Sequence, residues 1–182
     1  KGITSIGAGA FDNFQKLEEV VLPEGLKAIK ASAFFSCYRL KKINVPKTLR
    51  TIASDVFIAT KIEFFSLRRV KKIGNMCFLD SKIKEVYLSK NCRSSSLVFG
   101  GCEKLKKVTL EDGIKKISYG MFCDTALKTI DIPGSVFQIG EDAFADCKKL
   151  QKVTLHEGIK KVGKNAFYNT SLKEITIPST VT

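Results

Sequence analysis

The sequence predicts an α/β repeat solenoid, a right-handed superhelix with a parallel β-sheet on its concave face. Short strands, turns and single-turn α or 3₁₀ helices are predicted on the convex side. Two observations lead to this fold class. Phenylalanine recurs every 21 to 23 residues along the 182-residue chain, and each interval carries the same apolar pattern. A fixed period of this length is typical of stacked repeats that bury their apolar faces against one another.

The phenylalanine register divides the chain into about eight repeats of 21–23 residues, which form one domain over 1–182. A small or apolar residue precedes each of these phenylalanines. Solenoids carry polar caps at their ends, and neither end of this chain has one, so we expect a fragment of a longer chain. The eight positions are Phe11, Phe34, Phe57, Phe78, Phe99, Phe122, Phe144 and Phe167.

Within each repeat the apolar spacing predicts the local structure. Ile130 and Ile132 alternate with outward residues, as in a strand with one buried face, and Pro133 ends the strand because proline cannot donate to a ladder. The later Ile139 indicates a second short buried segment. The Ala-Phe-x-x-Cys/Thr segment is too short for a free-standing helix, so we expect one turn of α or 3₁₀ helix that inserts Phe144 into the core.

The repeat reads I-G-x-x-A-F-x-x-C-x-x-L-x-x-V-x-L, with a proline in several copies. It is complete in Ile139-Gly140, Ala143-Phe144, Cys147, Leu150, Val153 and Leu155, and nearly so from Ile6-Gly7 to Pro23. This pattern resembles the BspA-like leucine-rich repeat family. The resemblance implies a leucine-rich repeat fold and proteins often found on or outside the surface of bacteria and some protists. It also implies relatives that include adhesins binding host matrix proteins.

The chain is strongly basic, with 31 Lys and Arg against 18 Asp and Glu and a net charge of +13. Such a charge attracts polyanionic glycans, nucleic acid, acidic proteins or anionic lipid head groups, although a solenoid also uses lysine simply to solvate its surface. Base-stacking aromatics at regular spacing are missing, which disfavours nucleic acid. No apolar run reaches the roughly 18 residues of a membrane helix, so no membrane insertion is predicted.

The residues that carry chemistry occupy repeat positions. Cys37, Cys102 and Cys147 fill one slot two to three repeats apart, which is beyond disulfide reach, and five of the six cysteines are expected in the core. The single histidine, His156, stands where other repeats have proline and has no catalytic partner near in sequence. We therefore predict no metal, no cofactor and no enzyme activity.

Residues 62 to 105 break the pattern. Phe64 and Tyr87 are expected side by side on the exposed strand face, and Arg68 and Arg69 stand where proline and its neighbour are expected. An exposed aromatic pair beside arginine is typical of a protein-contact hot spot, with drift in a degenerate repeat as the alternative. These four residues are the candidate ligand contacts.

A row of basic residues is a second candidate ligand-binding surface. These residues lie between the paired Ile/Val positions, and the stacking of the repeats is expected to align them along one flank. The leading function is a non-enzymatic protein- or glycan-binding module of a cell-surface or secreted, adhesin-like protein. The alternatives are a structural spacer that displays another domain, or the recognition part of a longer enzyme. The basic flank consists of Lys27, Arg50, Lys71, Lys72, Arg93, Lys115, Lys116, Lys160 and Lys161.

Overall fold

A computed structural model describes residues 2–182 and shows a parallel β-solenoid of stacked coils. Every strand pair is parallel, and most strands have only two residues, with the longest reaching four. The strands are β1 (Ser5–Ile6), β2 (Glu19–Val20), β3 (Ala28–Ile29), β4 (Lys42–Ile43), β5 (Thr51–Ile52), β6 (Lys72–Ile73), β7 (Glu85–Leu88), β8 (Arg93–Ser94), β9 (Lys107–Leu110), β10 (Lys116–Ile117), β11 (Thr129–Ile132), β12 (Gln138–Ile139), β13 (Lys152–Leu155) and β14 (Lys161–Val162).

Each coil is numbered here by the ladder phenylalanine it contains, so that coil 4 spans 62–82, coil 5 spans 83–104, coil 6 spans 105–126 and coil 7 spans 127–149. Two ladders run along the stack. The front face consists of the V-x-L segments, where the concave sheet is predicted, and contains β2, β4, β7, β9, β11 and β13. The flank consists of the second segment, in the order β1-β3-β5-β6-β8 and then β10-β12-β14.

The phenylalanines form one continuous stack through the core. Neighbouring ring centroids lie 5.2 to 5.7 Å apart, with interplanar angles of 5° to 25°. The six interior rings are fully buried, whereas Phe11 is 37% exposed. Offset stacking at this distance is a favourable aromatic geometry. The phenylalanines that recur along the sequence therefore form the central stack of the core.

The predicted single-turn helices are wrong. The described residues contain no helix, and the Ala-Phe segment of every coil is a turn. Two residues of each turn, four positions apart, have left-handed backbones, such as Asp142 (φ 53°) and Asp146 (φ 59°). A left-handed residue interrupts a right-handed helix.

The hydrogen bonds explain why this conformation is preferred. In coil 7, Asp142, Phe144 and Asp146 donate their N–H groups to carbonyls of the next coil at 2.9 to 3.0 Å, and five other coils use the same three bonds. Donors committed to a neighbouring coil cannot close helical turns within their own. The turn is therefore a third line of contact between coils.

Several residues of types that often have a functional role stabilise the packing of the coils instead. Cys37 and Cys147 donate their thiols to the carbonyl of the preceding coil's phenylalanine at 3.1 Å, and Thr125 binds the carbonyl of Phe122 at 3.0 Å. A methyl group on Gly140 would lie 2.7 Å from the carbonyl carbon of Ser118, so glycine is required there by close approach of two backbones.

Candidate functional site

The front face is not a continuous sheet. Its strands form three separate pairs, β2 with β4, β7 with β9, and β11 with β13. Residues 62–67 of coil 4 form no strand. In this coil Phe65 occupies the buried slot that holds Val or Ile in other coils, and its ring packs 5.2 Å from both Phe57 and Phe78. One backbone bond joins this segment to coil 5, from the N–H of Lys84 to the carbonyl of Glu63 at 3.0 Å.

A groove of about 300 Å³ lies at this interruption. Phe64 lines it and is 61% exposed, and the guanidinium carbon of Arg68 lies 4.4 Å from the centre of the Tyr87 ring. The structure thus brings together three of the four predicted contacts. Arg69 is exposed but does not line the groove, and it forms no ion pair with any described residue.

Charged side chains that the sequence did not single out lie beside Phe64 at the edge of the groove. Lys84 places its ammonium 5.5 Å from the centre of the Phe64 ring and 2.6 Å from the Glu63 carboxylate. The hydrogen bond from Lys84 lowers the pKa of Glu63, and Lys104 acts in the same direction. Aligning the coils places Lys84 in the same column as Glu63, which is the signal that could have identified the pair.

His156 has a partner that is distant in sequence. Its side chain is exposed, and Nε2 lies 2.7 Å from Oδ1 of Asp131 in the preceding coil. The pair lines a depression of about 460 Å³ together with Asp112 and Glu157. Within residues 2–182 no hydrogen bond links either partner to a serine or cysteine, and the contact is a hydrogen bond between two exposed side chains.

Backbone bonds from coil to coil align the basic flank in two stretches, one from Lys27 to Arg93 and one from Lys115 to Lys161. Eight of its nine residues are exposed. Arg50 is half-buried and donates from its guanidinium to the carbonyls of Lys47 and Leu49 at 2.8 and 2.9 Å. In coil 7 the row is interrupted by Phe137 and Gln138.

All six cysteines are free thiols, and four are buried. Burial raises the pKa of Cys102 to about 12 and those of Cys92 and Cys123 to about 11. Cys92 is half-buried, and because Arg93 pairs with Lys72 it lies level with Lys71 instead of in the predicted Ile/Val slot. No group of His, Cys, Asp or Glu in residues 2–182 is arranged to hold a metal ion, and these residues contain no helix suited to cross a membrane.

The stacked coils and the phenylalanine core define a class of protein, the parallel β-solenoid repeat proteins. The protein-family model that describes the BspA-type leucine-rich repeat region matches residues 1–96 and 95–182 of this sequence. The chain therefore belongs to the BspA-type leucine-rich repeat family, as the resemblance predicted.

Solved structures support the fold. A leucine-rich repeat protein from Bacteroides ovatus matches 99% of this chain and 48% of its own, with 29% identity and a TM-score of 0.91. One from Eubacterium ventriosum, 24% identical, matches 100% of this chain and 53% of its own with a TM-score of 0.71, which shows the fold alone. A leucine-rich cell surface protein from Faecalibacterium prausnitzii matches 83% of this chain and 36% of its own, with 27% identity and a TM-score of 0.52.

The chain spans about half the length of the first two of these structures. A comparison with curated proteins gave no match.

Proposed function

We propose that this chain is a non-enzymatic binding module of a cell-surface or secreted protein, and that the front-face groove of coils 4 and 5 binds a protein partner. The observation that carries the proposal is the exposed ring of Phe64 beside the Arg68–Tyr87 stack. Large rings at the centre of a surface, next to arginine, are the residues that dominate protein interfaces.

The groove is suited to a protein surface rather than to a buried small molecule. Its volume is about 300 Å³, and its walls combine the rings of Phe64 and Tyr87 with Lys107 and Glu85. An apolar centre with a charged rim is the usual anatomy of a protein interface. The stacked Arg68 and Tyr87 are also held in place before a partner arrives, which lowers the entropy lost on binding.

The family and its neighbours support the cellular context. Leucine-rich repeat solenoids are extended binding surfaces, and the Faecalibacterium relative is described as a cell surface protein. We extend that location to this chain as part of the proposal, together with the adhesin-like role.

The test is an array of immobilised extracellular-matrix proteins and glycans, probed with the chain at several salt concentrations. For any matrix protein retained, Phe64→Ala should weaken binding by about tenfold or more, as expected for a hot-spot ring. Phe137→Ala, which removes a 46% exposed ring on the flank, is the control and should bind normally. If no matrix protein is retained, or if Phe64→Ala binds like the parent chain, the proposal is wrong.

A further inference from the structure

The flank ladder is broken at one place among the described residues, between coils 5 and 6. Strand β8 pairs with β6, and β10 pairs with β12, but β8 and β10 do not pair. At every other junction from coil 2 to coil 8, one residue of the basic row or its equivalent donates its N–H to the preceding coil at 2.7 to 3.0 Å. These donors are Lys27, Arg50, Lys71, Phe137 and Lys160, and between coils 4 and 5 the donor is Arg93, one position later and level with Lys72.

The equivalent donor at the broken junction is Lys115, and it makes no hydrogen bond to the carbonyl of Arg93 or to any other described residue. The next bond in the ladder is changed as well. The N–H of Ser118 has no acceptor within residues 2–182, and the Ser118 hydroxyl instead donates to the carbonyl of Ser94 at 3.0 Å. Two backbone donors are therefore free of partners at this seam, whereas backbone donors in a solenoid are normally paired.

The sequence explains the opening. Ser94 stands in the flank position that holds Ile or Val in the other coils, and its hydroxyl points inward, 3.8 Å from the sulfur of Met121. The buried Ile73 and Ile117 occupy this position in the coils on either side. Without an aliphatic anchor, coil 5 loses the burial that draws each flank segment against its neighbour.

A groove of about 570 Å³ lies at the seam, and four basic side chains line it. Lys90, Arg93, Lys115 and Lys116 line it. Of these four, only Lys90 has a carboxylate partner within residues 2–182, Glu111 at 3.9 Å. The other three are unpaired positive charges around one opening, which lowers stability through mutual repulsion unless an anion neutralises them.

Hydroxyl donors complete the lining. Ser95, Ser96, Ser118 and Tyr119 line the same groove, and two of the lining residues, Lys115 and Ser118, have backbone N–H groups with no acceptor within residues 2–182. Guanidinium, ammonium, hydroxyl and amide donors together suit a tetrahedral oxyanion, whose oxygens accept several hydrogen bonds at once. No carboxylate lines the groove, so a bound anion meets no like charge there.

We infer that the seam between coils 5 and 6 binds the sulfate groups of a linear sulfated glycan. A linear ligand fits because the basic row continues from the seam through Lys71 and Lys72 on coil 4. A glycan is favoured over nucleic acid because the groove offers one exposed ring, Tyr119, where single-stranded nucleic acid needs successive rings for stacking. This site is separate from the front-face groove and does not depend on it.

The test is titration calorimetry of the full chain with a heparin-derived hexasaccharide at 50 and 150 mM NaCl. We expect binding that weakens with salt, and a loss of about tenfold or more for the double variant Arg93→Ala/Lys115→Ala, because two cations leave the site. The charge-matched control is Lys128→Ala/Lys173→Ala, which removes two exposed lysines that have no ion pair in the described residues. This control should change affinity by less than about twofold.

A third variant separates the effect of the open seam on binding from the effect of net charge. Ser94→Ile restores the aliphatic anchor without altering any charge, so it should close the seam and weaken hexasaccharide binding. Circular dichroism confirms that each variant retains the parent spectrum before titration.

Three outcomes would overturn the inference. One is no hexasaccharide binding by the parent chain at 150 mM NaCl, and another is an equal loss in the seam pair and the control pair. The third is binding of an oligothymidylate of equal charge as tight as that of the hexasaccharide, which would indicate a general polyanion surface. Phe64→Ala should bind the hexasaccharide normally, so failure here and failure of the proposed front-face function are distinguishable.

Discussion

Removing the ring of Phe99 should be the most informative test of the core. Phe99 is fully buried in coil 5 and stacks on Phe78 at 5.6 Å and on Phe122 at 5.7 Å. Replacing a buried phenylalanine with alanine costs about 3–5 kcal/mol through lost burial and the cavity left behind. Because both neighbouring rings are themselves locked in the stack, we expect little relaxation and a value in the upper half of that range.

A second substitution isolates the aromatic contribution. Phe99→Leu keeps most of the apolar volume and loses two ring pairs, each worth about 0.5–1.5 kcal/mol beyond burial, so a loss of about 1–3 kcal/mol is expected. The control is Phe137→Ala, whose ring is 46% exposed and stacks on no other ring in residues 2–182. This surface change should stay within about 0.5 kcal/mol.

Urea unfolding gives the measurement. The chain has no tryptophan, so far-ultraviolet circular dichroism and tyrosine fluorescence are the two probes, and their agreement tests for a single cooperative transition. If Phe99→Ala unfolds within about 1 kcal/mol of the parent chain, or if Phe137→Ala is equally damaging, the stacked rings are not the main source of stability.

Three further results follow from the packing and from the pKa shifts. Gly140→Ala should destabilise by about 1–3 kcal/mol because its methyl group meets the backbone of the preceding coil, whereas Gly7→Ala, at the same motif position with open space around it in this chain, should be nearly neutral in urea unfolding. Cys102, with its pKa raised to about 12 by burial, should resist iodoacetamide at pH 8 until guanidinium unfolds the chain; rapid labelling of the native protein, read by mass spectrometry, would contradict its burial. Glu63→Gln should lower the urea midpoint more at pH 7 than at pH 3. A carboxylate whose pKa is lowered by Lys84 stabilises the fold above its unfolded pKa and loses that effect as the pH falls through its folded pKa. An equal effect at both pH values would rule out the charge interaction.

The repeat architecture could be predicted because it depends on apolar spacing. The interval between Phe122 and Phe144, for example, sets one coil, and the structure stacks those two rings 5.5 Å apart. The same register correctly placed Cys37 in the core, where its thiol donates to the carbonyl of Phe11. These results follow from which residues face inward, and that information is present in each repeat.

The candidate site could be predicted only in part. Phe64, Arg68 and Tyr87 were found as departures from the repeat, and they do line one groove. The contact between His156 and Asp131 was missed because 25 residues separate them along the chain. Contacts of this kind become visible when whole coils are aligned, since residues one period apart are neighbours in a solenoid.

Taken alone, the sequence determined the number of coils, the inward faces of the strands and the stack of phenylalanines, because apolar periodicity decides what is buried. The tertiary structure decided which carbonyl group, if any, accepts a hydrogen bond from each backbone N–H. Residues such as Asp142 give their N–H groups to the next coil, which makes the predicted helices turns. At Lys115 the donor finds no acceptor in residues 2–182 and a basic seam opens. Local sequence does not encode that choice, because each hydrogen bond depends on how closely two separate coils approach.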